Sequence, residues 1–197
     1  MKRHLFLTGP AFSGKSSLIK HCLGSRLELA GGFCTELSAD GTGALMGCTL
    51  FPTAAAGGAE GYEKALFLDL RQDPAAHDSE VFRGVGVRLL EEAAWYPFAV
   101  LDEIGGIDLI IPQFREALDT LLTSELPILG VIKPREEQEQ MRHMLGLGDR
   151  IDGFGERLRR ILLEDPHTEI LDMEKGNGKA EEMIRSWTEE YTAVFGM

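Results

Sequence analysis

Eight consecutive residues near the start of the chain, Gly9-Pro10-Ala11-Phe12-Ser13-Gly14-Lys15-Ser16, have the spacing G-x-x-x-x-G-K-S of a phosphate-gripping loop. The residue types explain the chemistry. Glycines let the backbone curl until successive N–H groups point inward at phosphate oxygens. A helix leaving the loop aims its positive N-terminal end at the same charge. Lys15 offers an ammonium to the β- and γ-phosphates of a nucleoside triphosphate such as ATP or GTP, and the Ser16 hydroxyl is a ligand for Mg²⁺. Ser17 carries the cradle into the helix. The flanks are the required ones: an apolar run, His4-Leu5-Phe6-Leu7-Thr8, leads in, and a helical segment to about Leu23 leads out. Without such flanks the same residues would read as a glycine-rich turn.

A nucleotide held with Mg²⁺ needs a carboxylate near Ser16. The best source is Phe98-Ala99-Val100-Leu101-Asp102-Glu103, an apolar strand ending in two acids. Asp102 at the strand tip would hold Mg²⁺, through a water, and Glu103 beside it would accept a proton from an attacking water. An apolar run ending in Asp-Glu is a weak signal alone, because many strands end in acids that only begin a loop. The upstream loop is what gives this pair its meaning.

A third feature is Arg150-Ile151-Asp152-Gly153-Phe154-Gly155-Glu156-Arg157-Leu158-Arg159-Arg160, four arginines and two glycines in an acidic chain. It is a candidate lid over the γ-phosphate, with Arg157 the favoured catalytic arginine; the plainer reading is a solvated basic helix or loop. The five histidines, His4, His21, His77, His143 and His167, have no metal-ligand spacing and are expected at surface or helix positions.

These residues must be positioned by the elements around them. Short apolar runs alternate with helical periods, the pattern of an α/β fold with a parallel sheet flanked by helices. Strands are expected near 4–8, 31–36, 43–50, 64–70, 97–101, 127–132 and 168–173. The runs at 31–36 and 43–50 flank Asp40-Gly41, a hairpin signal. Residues 53–61, rich in alanine and glycine, read as a mobile loop. A helix capped by Asp78 or Ser79 is expected to run to about Trp95, another from Pro112, and a polar one from Arg135 to Leu145. A last helix starts near Lys179, with Ile184, Trp187, Tyr191 and Val194 on one face as core.

The bulk composition is consistent with this. The 197 residues fit one domain over 1–197, with 44% hydrophobic and 26% charged residues. A net charge of -12 repels the phosphate backbone of nucleic acid. Three cysteines, Cys22, Cys34 and Cys48, make neither a disulfide framework nor a C-x-x-C metal pair. No stretch has the apolar length of a membrane span, and the N-terminal run is too short for a signal-peptide core, so a cytoplasmic location is expected. No protein partner is legible.

The chain resembles the small P-loop nucleoside-triphosphatases of the THEP1 type. The resemblance rests on Phe6-Leu7-Thr8-Gly9 entering the loop, on Gly32-Phe33-Cys34-Thr35-Glu36, and on Asp102-Glu103-Ile104-Gly105 followed by Asp108-Leu109 and Phe114. Weaker echoes are Glu80-Val81-Phe82, Gly86-Val87 and Asn177. It implies a three-layer, RecA-like sheet, mostly parallel with a β-hairpin extension, hydrolysis of several triphosphates with weak base selectivity, and Glu103 as the catalytic acid/base. The chain departs from the family in three places. The stretch Gly41–Cys48 has no arginine, Lys133 stands where a histidine is expected, and Gly178 rather than arginine follows Asn177.

Hydrolysis is therefore the leading reading. Phosphoryl transfer to a nucleoside, nucleotide or other small molecule is the alternative, with the hairpin and the 53–61 loop as acceptor site. A nucleotide-gated binding module with negligible turnover is the third.

Overall fold

The computed structural model describes residues 2–58, 61–72, 75–147, 150–173 and 177–193, apart from the side chains of Arg150 and Asn177. Val194, expected in the core, lies outside them. Among the described residues eight strands form one sheet: β1 (His4–Thr8), β2 (Ala30–Ala39), β3 (Leu45–Pro52), β4 (Ala65–Asp69), β5 (Ala76–His77), β6 (Phe98–Ile104), β7 (Ile128–Ile132) and β8 (Thr168–Asp172). Their order is β5-β4-β3-β2-β6-β7-β1-β8. The run β2-β6-β7-β1-β8 is parallel throughout. Strands β3, β4 and β5 continue it antiparallel. The helices are α1 (Lys15–Leu23), α2 (Thr53–Ala56), α3 (Ser79–Val81), α4 (Val87–Glu92), α5 (Pro112–Leu122), α6 (Arg135–Met144), α7 (Arg150–Glu164) and α8 (Asn177–Thr192).

The parallel strands are continuously apolar because both of their faces are covered. Side chains alternate across the sheet. Leu5 and Leu7 of β1, Phe98 and Val100 of β6, and Leu129 and Val131 of β7 join one cluster with Ile19 of α1 and Trp187 of α8. Phe6, Ala99, Leu101, Ile128 and Ile132 join the other, with Leu89 and Leu90 of α4, Phe114 and Leu118 of α5, and Leu158 of α7. Two cores on opposite faces of one sheet give the expected three layers. Pro112 starts α5 after the extended residue Ile111, as proline geometry favours.

Four expectations need correction. The helix foreseen from Asp78 to Trp95 is interrupted by a π-helical turn at Phe82–Gly86 before α4. Gly86 lets α5 approach closely, since a Cβ there would lie 3.0 Å from the Phe114 ring. Phe82 and Phe114 meet edge to face at 5.3 Å. Residues 53–61 are not simply a loop. Thr53–Ala56 is α2, Thr53 and Ala54 are buried, and the Thr53 hydroxyl donates to Val100 O at 3.2 Å; residues 59–60 lie outside those described. The small residues there permit contact, because a Cβ on Gly57 would collide with Glu28 N at 2.7 Å. The short strand β5 was not foreseen at all, being two residues long. Finally, His4 is no surface histidine. It is buried in β1 with Nδ1 unbonded, and burial pushes its pKa down to about 4.

Candidate functional site

The loop that follows β1 owes its shape to three residues in the left-handed region. Gly9 has φ 133°, Phe12 φ 61° and Gly14 φ 86°. Only Phe12 is not glycine, and its ring is 86% exposed. Gly14 caps α1 without a side-chain hydrogen bond, and no acid stands in the first turn. The first N–H groups of this nine-residue helix are thus left for an anion. Lys15 is buried, and its Nζ donates to Gly9 O at 2.6 Å and Pro10 O at 2.7 Å. Its ammonium lies across the loop, at the place where phosphate charge would be held.

The second motif meets the first. Ser16 Oγ donates to Asp102 Oδ1 at 2.6 Å, joining residues 86 positions apart. Asp102 is 1% exposed, its Oδ2 has no hydrogen-bond partner among the described residues, and burial pushes its pKa up to about 6. A buried carboxylate with one idle oxygen beside a hydroxyl is a hard-oxygen donor set, the kind that suits Mg²⁺. A cation there would also stabilise the charge that burial disfavours. The expected metal residues, Ser16 and Asp102, are therefore brought together.

Glu103 faces a large cleft, and its carboxylate is ion-paired with Lys133, the residue just after β7. A second acid, Glu137 of α6, stands 3.8 Å from the same ammonium. Burial disfavours the Lys133 ammonium, but the two carboxylates outweigh it and hold its pKa above the ordinary lysine value. Glu137 is raised by burial and by the charge of Glu103, and accepts a hydrogen bond from the Ala11 backbone in the phosphate loop.

Below this layer the turn after β6 is braced from inside. Buried Asp108 accepts N–H bonds from Gly105 and Gly106, and desolvation pushes its pKa up to about 6. Buried Gln138 donates to Gly105 O, while Arg159 donates to Gln138 Oε1 at 2.6 Å and Lys133 O at 3.0 Å. In the sequence, Asp108 stands out only through the family resemblance and Lys133 only as a departure from it, while Glu137 and Gln138 read as part of a polar helix. The four-residue step from Lys133 to Glu137 was the one available signal.

The cleft holds about 590 Å³. It is lined by Ala11, Phe12, Gly14, Lys15, Ser16 and Ser17 of the loop and the start of α1, and by Glu103 and Lys133. Further lining comes from the antiparallel strands, where Leu37, Cys48 and Leu68 are register partners across β2, β3 and β4. Pro10 and Gly9 open instead on a second cleft of about 520 Å³, with Pro134, Gln140 and Asp172.

Arg157 is not brought to either cleft. Its guanidinium makes a two-point bond to Asp119 of α5, at 3.2 and 2.7 Å. The expected lid is instead a docked amphipathic helix, α7, with Ile151, Leu158 and Leu162 buried. Arg115 stacks 3.8 Å over the Phe154 ring. Gly155 lets the helix touch Gln138, since a Cβ there would lie 2.3 Å from its Nε2. Arg159 bonds the Lys133 backbone and Gln138 rather than lining the cleft. The side chains of Arg150 and Asn177 are outside those described.

Comparison with known proteins bears on the family and the fold. The chain matches the family described as NTPase over residues 4–149. A crystal structure of THEP1 from the hyperthermophile Aquifex aeolicus is similar with a TM-score of 0.66 and 18% identity, covering 94% of this chain and 99% of that one. At that identity the likeness establishes the fold. No curated protein matches the chain. Among the described residues, no helix is long and apolar enough to cross a membrane.

Proposed function

The chain belongs to the NTPase family, and from that premise we propose that it is a Mg²⁺-dependent hydrolase converting nucleoside triphosphates to diphosphate and phosphate. The observation that carries the reading is the 2.6 Å bond between Ser16 and Asp102, which unites the phosphate loop with the acidic strand and leaves one carboxylate oxygen idle.

Each residue then has a separable task. The loop N–H groups and the first turn of α1 bind the phosphates. Lys15 transfers its ammonium from the Gly9 and Pro10 carbonyls to phosphate oxygens. Ser16 and Asp102 would hold Mg²⁺, which supplies charge neutralisation on the phosphate oxygens. Glu103, next along the strand and facing the cleft, orients a water and takes its proton as it attacks the terminal phosphorus. Weak selection among bases is what the family resemblance implies. The three free cysteines and the absence of a membrane-length helix among the described residues support a cytoplasmic protein. With a net charge of -12, a nucleotide rather than nucleic acid is the proposed ligand.

One observation favours transfer to a small-molecule hydroxyl as a second reading. Water needs no apolar wall, yet Leu37, Cys48 and Leu68 form one across from Glu103. The deciding experiment is phosphate release from ATP, GTP, CTP and UTP, in Mg²⁺ and in EDTA. Hydrolysis predicts free phosphate from all four triphosphates, stoichiometric with the diphosphate and abolished by EDTA. Turnover that requires an added alcohol, or that persists in EDTA, contradicts it.

A further inference from the structure

Strand β7 lies between the loop strand β1 and the acidic strand β6. Val131 is the register partner of both Leu7 and Asp102. Lys133, two residues on, therefore leaves the sheet between the phosphate loop and Glu103. Its backbone is pinned: the N–H donates to Ile104 O at 2.9 Å and the carbonyl accepts from Arg159 at 3.0 Å. Its stem runs past Gly106, where a Cβ would come within 3.1 Å of Lys133 Cε. A fixed backbone and a four-carbon stem leave the ammonium free to be redirected within the cleft, which it lines together with Lys15 and Ser16.

This arrangement is awkward for a base. Glu103 is already ion-paired with Lys133, so a carboxylate oxygen that should orient the attacking water is occupied by the ammonium. If Glu103 is to engage that water, the ammonium must find another anion. Three anions are candidates: Glu137, 3.8 Å away; Asp108, which already accepts from the Gly105 and Gly106 N–H groups; and the outermost phosphate of a nucleotide lying on the loop. Glu137 already accepts from Ala11 and is itself disfavoured as a charge by burial, which makes it the poorer acceptor.

We propose that Lys133 exchanges partners, from Glu103 to the third phosphate of the bound nucleotide, so that the base is released only when a triphosphate is present. The idea rests on the reading of Glu103 as the base. On this proposal a diphosphate, lacking the third phosphate, offers Lys133 no new partner and leaves the Lys133–Glu103 pair intact. The pair thus makes the chemistry sensitive to the third phosphate, and the product is not held by Lys133.

The consequence is read in binding. Glu103 competes with the third phosphate for one ammonium, so removing its charge should strengthen triphosphate binding and leave diphosphate binding alone. Calorimetry on the full chain with Mg²⁺ would compare AMP-PNP with ADP for wild type, Glu103→Gln, and Glu103→Gln combined with Lys133→Met. We expect Glu103→Gln to bind AMP-PNP about tenfold more tightly with ADP unchanged, and the added Lys133→Met to erase that gain. Lys133→Gln replaces Lys133→Met if the methionine variant does not fold. Three results overturn the proposal: unchanged AMP-PNP affinity in Glu103→Gln, an equal gain for ADP, or a gain that survives loss of the lysine. The first two need no lysine variant. Phosphate release by the same Glu103→Gln sample tests the base separately, so a failure there is distinguishable from a failure of partner exchange.

Discussion

The five parallel strands and the three antiparallel ones that extend them treat their two faces differently. In the parallel part, β6 and β7 have almost no exposed side chain, and helices cover both faces. In the extension, Leu45 and Leu66 remain 46% and 42% exposed, although an open sheet face usually carries polar residues. The phosphate loop, Asp102, Glu103 and Lys133 all emerge from the C-terminal ends of parallel strands, which rigid packing holds in place. The extension supplies only a wall. Packing on both faces positions the candidate site residues, and the more exposed extension is where the shape of an acceptor or an entrance can vary.

The sharpest way to break this contrast is to damage each part in turn. Lys15→Ala should lower Mg²⁺–ATP affinity more than about 10²-fold while circular dichroism stays unchanged, as calorimetry can show. Stability should be concentrated where the two parts join. Phe114 packs on Phe33 of β2 and on Phe82, so Phe114→Ala should cost about 3–5 kcal/mol in urea denaturation. Leu45→Ala, half exposed in the extension, should cost less than about 0.5 kcal/mol. Similar losses at both positions would mean that the extension is not the looser part.

A smaller effect is expected from acid, and it belongs to the parallel part. His4 has a folded pKa of about 4, lowered by burial. Below about pH 6.5 the unfolded chain takes up a proton that the folded one refuses, so stability falls as pH drops toward the folded value. Between about pH 7 and about pH 5 this amounts to about 2 kcal/mol. Asp102 and Asp108, both raised to about 6, act in the opposite direction. The comparison is therefore between wild type and His4→Leu: the variant should lose less stability on acidification. Equal losses would exclude His4 as the source.

The smallest effect should be in the wall. Leu37→Ser with Leu45→Ser should leave phosphate release within about threefold of wild type, the scale of a change remote from chemistry. A drop beyond about tenfold would transfer weight to the small-molecule acceptor reading.

Much of this architecture could be read from residue patterns, because the parallel strands are uninterrupted apolar runs and the loop motif has a fixed spacing. The union of Ser16 with Asp102 was legible for the same reason, as two motifs that need each other. What escaped was set by long-range contact. The π-helical turn at Phe82–Gly86 depends on the close approach of Phe114, which no local pattern announces. The lid expected at 150–160 failed because its glycine, Gly155, serves a contact with Gln138, and because Arg157 had a closer partner in Asp119. His4 is buried by two flanking strands far away in sequence, and Lys133 is defined by a carboxylate 30 residues before it.

The central claim is that Glu103 is the base and that the remainder of the site binds without it. Glu103→Gln keeps the shape and removes the proton acceptor, so Mg²⁺–ATP binding and steady-state phosphate release on that one variant test the claim most directly. The account predicts binding at least as tight as wild type and a fall in kcat of about 10²-fold or more. Hydrolysis at the wild-type rate would contradict it.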